Sequence, residues 1–214
     1  MTTTLAACES EVDNKPAAKV VETDKKTDGK KADTKVDEKK DEGAAAAGTA
    51  VVYTASPETS SIEWVGAKVT GDHKGGFKKF DGSLTVEGDK VTSLEFTVDT
   101  TTLFSDNDML TGHLKGEEFF DVAKFPKSTF KATKIEAKVE GDHTHLITGE
   151  MDLHGVKKTI AFPATVKVAA DKVTANTEFT LKRFDFAINY KGKANDLIKD
   201  DVLLKIKLEA PKKS

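Results

Sequence analysis

The chain has 214 residues, a formal net charge of −3 and 32% charged residues. It holds no apolar run near the roughly 20 residues that a bilayer-spanning helix needs, which excludes such a helix. Its single cysteine, Cys8, excludes an internal disulfide and a cysteine-built zinc cluster.

Residues 1–50 form a population of their own. All fifteen aromatic residues (twelve Phe, two Tyr, one Trp) fall at or beyond Tyr53, so the first fifty residues have too little apolar surface to build a core. From Glu9 to Glu42 there are nine Lys against eleven Asp and Glu, which leaves 24 basic and 25 acidic residues for the remainder. Neither part has the basic excess of a nucleic-acid binder. Glu9 to Ala50 reads as a low-complexity flexible tether, spanning on the order of 35 Å root-mean-square. Leu5-Ala6-Ala7-Cys8 resembles a bacterial lipobox, whose cysteine becomes lipidated. The seven residues before Cys8 show no positive n-region and no adequate apolar stretch, so they are not a complete signal peptide. The division expected is 1–50 as a disordered, lipobox-like N-terminus with a charged linker, and 51–214 as the folded domain.

Beyond Val51 the hydrophobic period becomes two. Ile62, Trp64 and Gly66 alternate with Glu63, Val65 and Ala67; Leu94, Phe96 and Val98 alternate with Glu95, Thr97 and Asp99. This is the pattern of antiparallel strands with one wet face. Turn signals such as Glu87-Gly88-Asp89, Glu140-Gly141-Asp142 and His154-Gly155 separate the runs. The spacing predicts strands over 51–55, 61–70, 76–87, 90–100, 127–139, 144–153, 157–169, 172–189 and 201–210. Between Ser105 and Phe120 the period turns helical, with Asp106 as the expected N-cap. Eight or nine strands with short hairpins favour a closed barrel, because closure removes exposed edges. The fold expected is all-β: an antiparallel up-and-down barrel of about eight strands with one short helical insertion. Gly66, Gly76, Gly82, Gly149 and Gly192 read as barrel corners.

Several stretches carry a family pattern. They are Ser61-Ile62-Glu63-Trp64, the run Gly76 to Gly82 (GFKKFDG), the run Asn107 to Val122 (NDMLTGHLKGEEFFDV), Phe125-Pro126, the run Thr148 to Lys158 (TGEMDLHGVKK) and Arg183-Phe184-Asp185-Phe186. In order and spacing they resemble the YceI-like family, a lipocalin-like group associated with binding of polyisoprenoid or other long-chain lipids in bacteria. The likeness runs over nearly all of 51–210. The chain departs from the family pattern where it has Asn107-Asp108 in place of Arg-Asp and Phe186-Ala187 in place of Phe-Gly, and where a family His would fall near Lys68. The resemblance implies a barrel that holds an elongated apolar ligand in the bacterial cell envelope, periplasm or cell surface.

Alternation nominates the inward residues: Ile62, Trp64, Phe80, Leu84, Leu94, Phe96, Val98, Phe130, Met151, Ile160, Phe162, Phe179, Leu181, Phe186 and Leu204. Taken by themselves, such side chains either fill one another's gaps or line a cavity; the resemblance implies a cavity. Arg183 is the only arginine among 33 basic residues. Its planar fork suits either an anionic ligand head group or a structural contact, through an ion pair with Asp185 or stacking on Phe184 or Phe186.

No cofactor, metal or nucleic-acid motif is present. His143 and His145 share a strand face but have no third ligand at telling spacing, so they read as a solvated hairpin. The leading expectation is a non-enzymatic carrier or sequestering protein for a polyisoprenoid, quinone-like or fatty ligand, tethered to a membrane through Cys8. Two alternatives stay open. One is an enzyme with His113 as acid/base beside Asp108 or Glu117; the other is a filled barrel whose loops bind a protein.

Overall fold

The computed structural model describes residues 10–21 and 49–213. Thirteen strands lie in one antiparallel sheet system: β1 (Lys19–Val21), β2 (Val51–Ala55), β3 (Ser61–Lys68), β4 (Gly71–Phe77), β5 (Phe80–Glu87), β6 (Lys90–Asp99), β7 (Leu103–Ser105), β8 (Lys127–Glu140), β9 (His143–Leu153), β10 (Val156–Val168), β11 (Lys172–Lys182), β12 (Gly192–Lys193) and β13 (Asp196–Pro211). The one α-helix among the described residues is α1 (Asp108–Lys115).

Many of these strands are pieces of longer ribbons. β2 and β3 run on from one another, as do β4 and β5, and β6 and β7. The pairings β3–β4, β2–β5, β5–β6 and β4–β7 join them as broken halves of three ribbons. With β8, β9, β10, β11 and β13 there are eight, each paired with the next along the chain. The last closes on the first through β13–β3, with Leu204 opposite Trp64, and through a bridge from Tyr53 to Lys212. The all-β, up-and-down, lipocalin-like expectation holds, although the sheet is cut into more pieces than eight.

The cuts depart from the predicted strands. The expected strand 76–87 is two strands, because the chain turns at Lys78-Lys79: Lys78 N–H donates to Thr102 O (3.3 Å) and Lys79 O accepts from Asp99 N–H (3.0 Å). The expected strand 172–189 stops at Lys182. Arg183–Phe186 forms a 3-10 turn that ends at Ala187, whose φ of 58° is left-handed. Helix α1 is capped by Asn107, whose side chain accepts from Leu110 N–H at 3.0 Å. Asp106 instead accepts from Lys74 N–H (3.2 Å) and faces His73 Nδ1 (3.0 Å).

The largest difference concerns the expected tether. Residues 10–21 lie on the barrel as a strap, because their few apolar side chains and mixed charges find partners there. Val12, 4% exposed, covers Val65, Ala67 and Leu203 on the outer face of β3 and β13. Glu11 pairs with Lys74 and Lys205, Asp13 with Lys199, and Lys15 with Glu178. The strap then enters a slot in the wall. β10 and β11 are registered only from Thr165↔Asn176 to Val168↔Val173. Past this point they part at Pro163, whose carbonyl takes a bond from the Thr177 hydroxyl (2.6 Å) and which has no N–H to offer a neighbour. In the opening, Thr180 N–H donates to Pro16 O, Ala18 N–H donates to Thr180 O, and β1 pairs with β10 from Lys19↔Ala161 to Val21↔Thr159. Cys8 and residues 22–48 lie outside the described residues.

Candidate functional site: an apolar barrel cavity with a charged mouth

The strands enclose a cavity of about 430 Å³, within the range of small-molecule sites. Along β3, Ile62, Trp64 and Gly66 face it; along β13, Val202, Leu204, Ile206 and Leu208 do so. These are alternate residues, so the pleat itself makes the lining. Phe162 and Phe179 stack with centroids 4.4 Å apart and planes at 12°, and Phe130 lies 5.4 Å from Phe162. Together they give one aromatic wall.

Thirteen of the sequence-nominated residues line this space: Ile62, Trp64, Leu94, Phe96, Val98, Phe130, Met151, Ile160, Phe162, Phe179, Leu181, Arg183 and Leu204. Three do not. Phe80 and Leu84, 3% and 2% exposed, are packed in β5, Leu84 in the core that also holds Tyr53, Val86 and Val91. Phe186 is fully buried in the 3-10 turn, where its carbonyl meets His154 Nδ1 at 3.2 Å. Alternation correctly marked all three as buried, but it does not separate a packed end of a barrel from a hollow one.

Glycines make room for the lining rings. A Cβ on Gly149 would sit 2.5 Å from the Phe130 ring, and one on Gly82 would sit 2.3 Å from the Phe96 ring. Both were expected at corners; they are instead the floor on which aromatic side chains lie.

Sequence reasoning missed most of the mouth. Leu110 and Leu114 of α1, with Phe119, Phe120, Ile188 and Tyr190, close over the cavity. His113, Phe119 and Tyr190 form a mutual aromatic contact with centroids 4.9–5.1 Å apart. These residues come from a helix and loops, where no strand period could flag them. His113 reaches the cavity and its Nε2 lies 3.1 Å from Glu118 Oε2, whereas Asp108 and Glu117 are exposed and outside the lining. The pair named for acid–base work therefore does not converge there. His143 and His145 are half-buried rather than solvated. Thr144 Oγ1 lies 2.8 Å from His145 Nδ1, burial pushes the His145 pKa down, and His143 Nδ1 is buried without a partner. No group of three metal-ligating side chains occurs among the described residues.

Charge is confined to the mouth. Lys68 bonds Asp196 at 2.8 Å, and this holds the Asp196 carboxyl below its ordinary range. Arg183 is 5% exposed. It donates to the carbonyls of Lys199 (3.0 Å), Ile188 (2.8 Å) and Ile198 (3.2 Å) and stacks on Phe184 at 4.3 Å. The alternative partner, Asp185, bonds Lys158 instead (3.2 Å). Burial lowers the Arg183 pKa, and Asp200 acts in the opposite sense.

The model of the YceI-like domain matches residues 53–210, the whole barrel. The chain belongs to the YceI-like family. Among its curated relatives, a UPF0312 protein of Pseudomonas putida strain W619 is 31% identical over 136 residues, covering 60% of this chain and 70% of that protein. A UPF0312 protein of Shewanella denitrificans is 31% identical over 140 residues, covering 61% and 72%. Burkholderia cenocepacia BcnA superposes with a TM-score of 0.63 at 25% identity, covering 71% of this chain and 96% of its own. A polyisoprenoid-binding domain from Saccharophagus degradans shares the fold, with a TM-score of 0.56 at 15% identity over 76% of this chain and 99% of that one. The strap, residues 10–21, lies outside the segment that the YceI-like model matches.

Proposed function

We propose that this YceI-like protein binds a long-chain apolar ligand, polyisoprenoid, quinone-like or fatty, in the barrel and carries or sequesters it without catalysis. The observation that carries this reading is the apolar cavity of about 430 Å³. A chain entering it gains roughly 0.8 kcal/mol per buried CH₂, so binding needs no catalytic group. The cavity favours carriage over a filled interaction barrel, and the absence of Asp108 and Glu117 from its lining favours carriage over the acid–base enzyme.

The proposal extends to location. Leu5-Ala6-Ala7-Cys8 supports lipidation of Cys8 and attachment to a membrane of a bacterial cell envelope, facing the periplasm or the cell surface. The strap bears on how such an anchor would act. Ser10 bonds Asp72, and Glu11 N–H also donates to Asp72, beside the mouth residue His73. Ser10 is two residues from Cys8, a reach of about 7 Å. An anchored Cys8 would then hold the mouth next to the lipid surface rather than on a long leash.

The test is native mass spectrometry with lipid extraction of the full-length protein purified from its own host. A co-purifying long-chain species is expected. Protein that is consistently empty would overturn the reading.

A further inference from the structure

Four charged side chains stand on the cavity wall among the described residues: the cations Lys68, Arg183 and Lys193, and the anion Asp196. This excess of positive charge belongs to a chain whose net charge is −3, so it is a local feature of the mouth. All four lie around Ile198. Lys68 is registered opposite Ile198, Lys193 opposite Asp196, and Arg183 donates to the Ile198 carbonyl.

Asp196 neutralises Lys68, and two cations remain. Lys193 is exposed and forms no ion pair among the described residues. Arg183 is buried, and its three bonds all go to neutral carbonyls; among the described residues no carboxylate bonds it, and Asp200 acts on its charge only through space. A guanidinium has five N–H donors; three are used here, which leaves two on a residue that lines the cavity. A buried cation is costly unless an anion compensates it. A planar fork with spare donors matches two oxygens of one carboxylate or phosphate.

We infer that the ligand carries an anionic oxygen head group, a carboxylate or a phosphate, which sits at the mouth between Arg183 and Lys193 with its chain in the barrel. The inference rests on the carrier reading above and specifies its ligand. A neutral chain would fill the same cavity and leave both cations unpaired. An anionic amphiphile satisfies the apolar interior and the cationic rim in one pose.

The experiment compares four probes of one chain length on the full-length protein, below their micelle concentrations at pH 8: hexadecanoic acid, hexadecyl phosphate, methyl hexadecanoate and hexadecanol. Each displaces the neutral dye N-phenyl-1-naphthylamine. The acid or the phosphate is expected to bind at least tenfold more tightly than the ester and the alcohol; the tighter of the two anions identifies the head group. In Lys193→Gln the preference for the anionic probe over the ester is expected to fall severalfold. Arg183→Gln should lower it further. Because that change also removes three carbonyl contacts and can impair folding, the wild-type ratio and Lys193→Gln serve as the primary readouts. Equal binding of charged and neutral probes would overturn the head-group inference and leave the carrier reading standing. Failure of all four to displace the dye would overturn both. A preference that survives unchanged in Lys193→Gln and in folded Arg183→Gln would also overturn the inference.

Discussion

Filling the cavity from its own wall separates a hollow barrel from a packed one by the sign of the effect. Gly66 faces the cavity, and a Cβ there would meet only Trp64 ring carbons at 3.7 and 3.9 Å, which is ordinary contact. Gly66→Val places three carbons in that space. At roughly 0.8 kcal/mol per buried carbon, the empty protein should gain up to about 2 kcal/mol, with a further contribution of about 0.4–1 kcal/mol from the restricted unfolded chain. A bound chain gives up the same volume and should weaken by about 2 kcal/mol, some 30-fold. Urea unfolding of the empty protein and titration with N-phenyl-1-naphthylamine measure the two effects. A hollow barrel becomes more stable and binds less. A packed barrel would be overfilled, at a cost of about 1–3 kcal/mol. Destabilisation together with unchanged dye uptake would refute the assignment of this space to a ligand.

Other sites give independent tests. Gly149→Ala drives a Cβ against the Phe130 ring and the Lys131 carbonyl, each at 2.5 Å, and should cost about 1–3 kcal/mol in urea unfolding. Phe179→Ala removes a side chain 2% exposed that is stacked on Phe162; it should cost about 3–5 kcal/mol and raise the dye capacity of the protein that remains folded. Val12→Ala trims the strap's apolar contact with β3 and β13, a loss of about 1.5 kcal/mol. Hydrogen exchange should then rise at Ala18 and Thr180 while the barrel midpoint holds. The side-chain bonds to Lys205 and Lys74 lower the Glu11 pKa from 4.5 to about 2. The unfolded strap therefore binds the extra proton, so this stabilisation is complete above pH 4.5 and is lost as pH falls towards about 2. Exchange at Ala18 should increase across that window, and Glu11→Gln should flatten the dependence.

The strand period made the barrel legible because it reports one property, which side of the pleat is dry. It placed β2, β6, β9 and β10 to within a few residues and put Ile62, Trp64, Leu94 and Phe96 inside. It could not show where a ribbon bends without changing its period. Lys78-Lys79 reads as part of one run, yet there the chain leaves the ladder to meet Thr102. The tail misled for a related reason. Val12 is one isolated apolar residue among charges, and its partners Val65, Ala67 and Leu203 occupy the strand positions that the period assigned to the wet side. A contact made by the exceptions on two faces leaves no periodic trace. The mouth was hidden because α1 and the segment 183–198 reach it through caps and turns.

The bends also account for the void. An eight-stranded barrel is just wide enough for its own side chains to fill. In this chain the ladders break at matching places: Ala55↔Gly82 gives way to Glu63↔Gly76 and Phe80↔Val98 to Phe77↔Leu103, with Lys79 N–H bonding Thr102 Oγ1 (3.0 Å) across the last two breaks. The wall therefore folds along one line. On one side β2 and β5 pack Tyr53, Leu84 and Val86, none of which lines the cavity. On the other, β3 and β4 pair and carry Trp64 over Gly75, where a Cβ would sit 2.4 Å from the indole. Rings laid flat on glycines leave the axis open, and α1 closes the wide end with Leu110 and Leu114 in place of a further ring of strand residues. The hollow thus follows from where the strands break and where glycine stands, which explains how an ordinary strand-core composition encloses space for a guest.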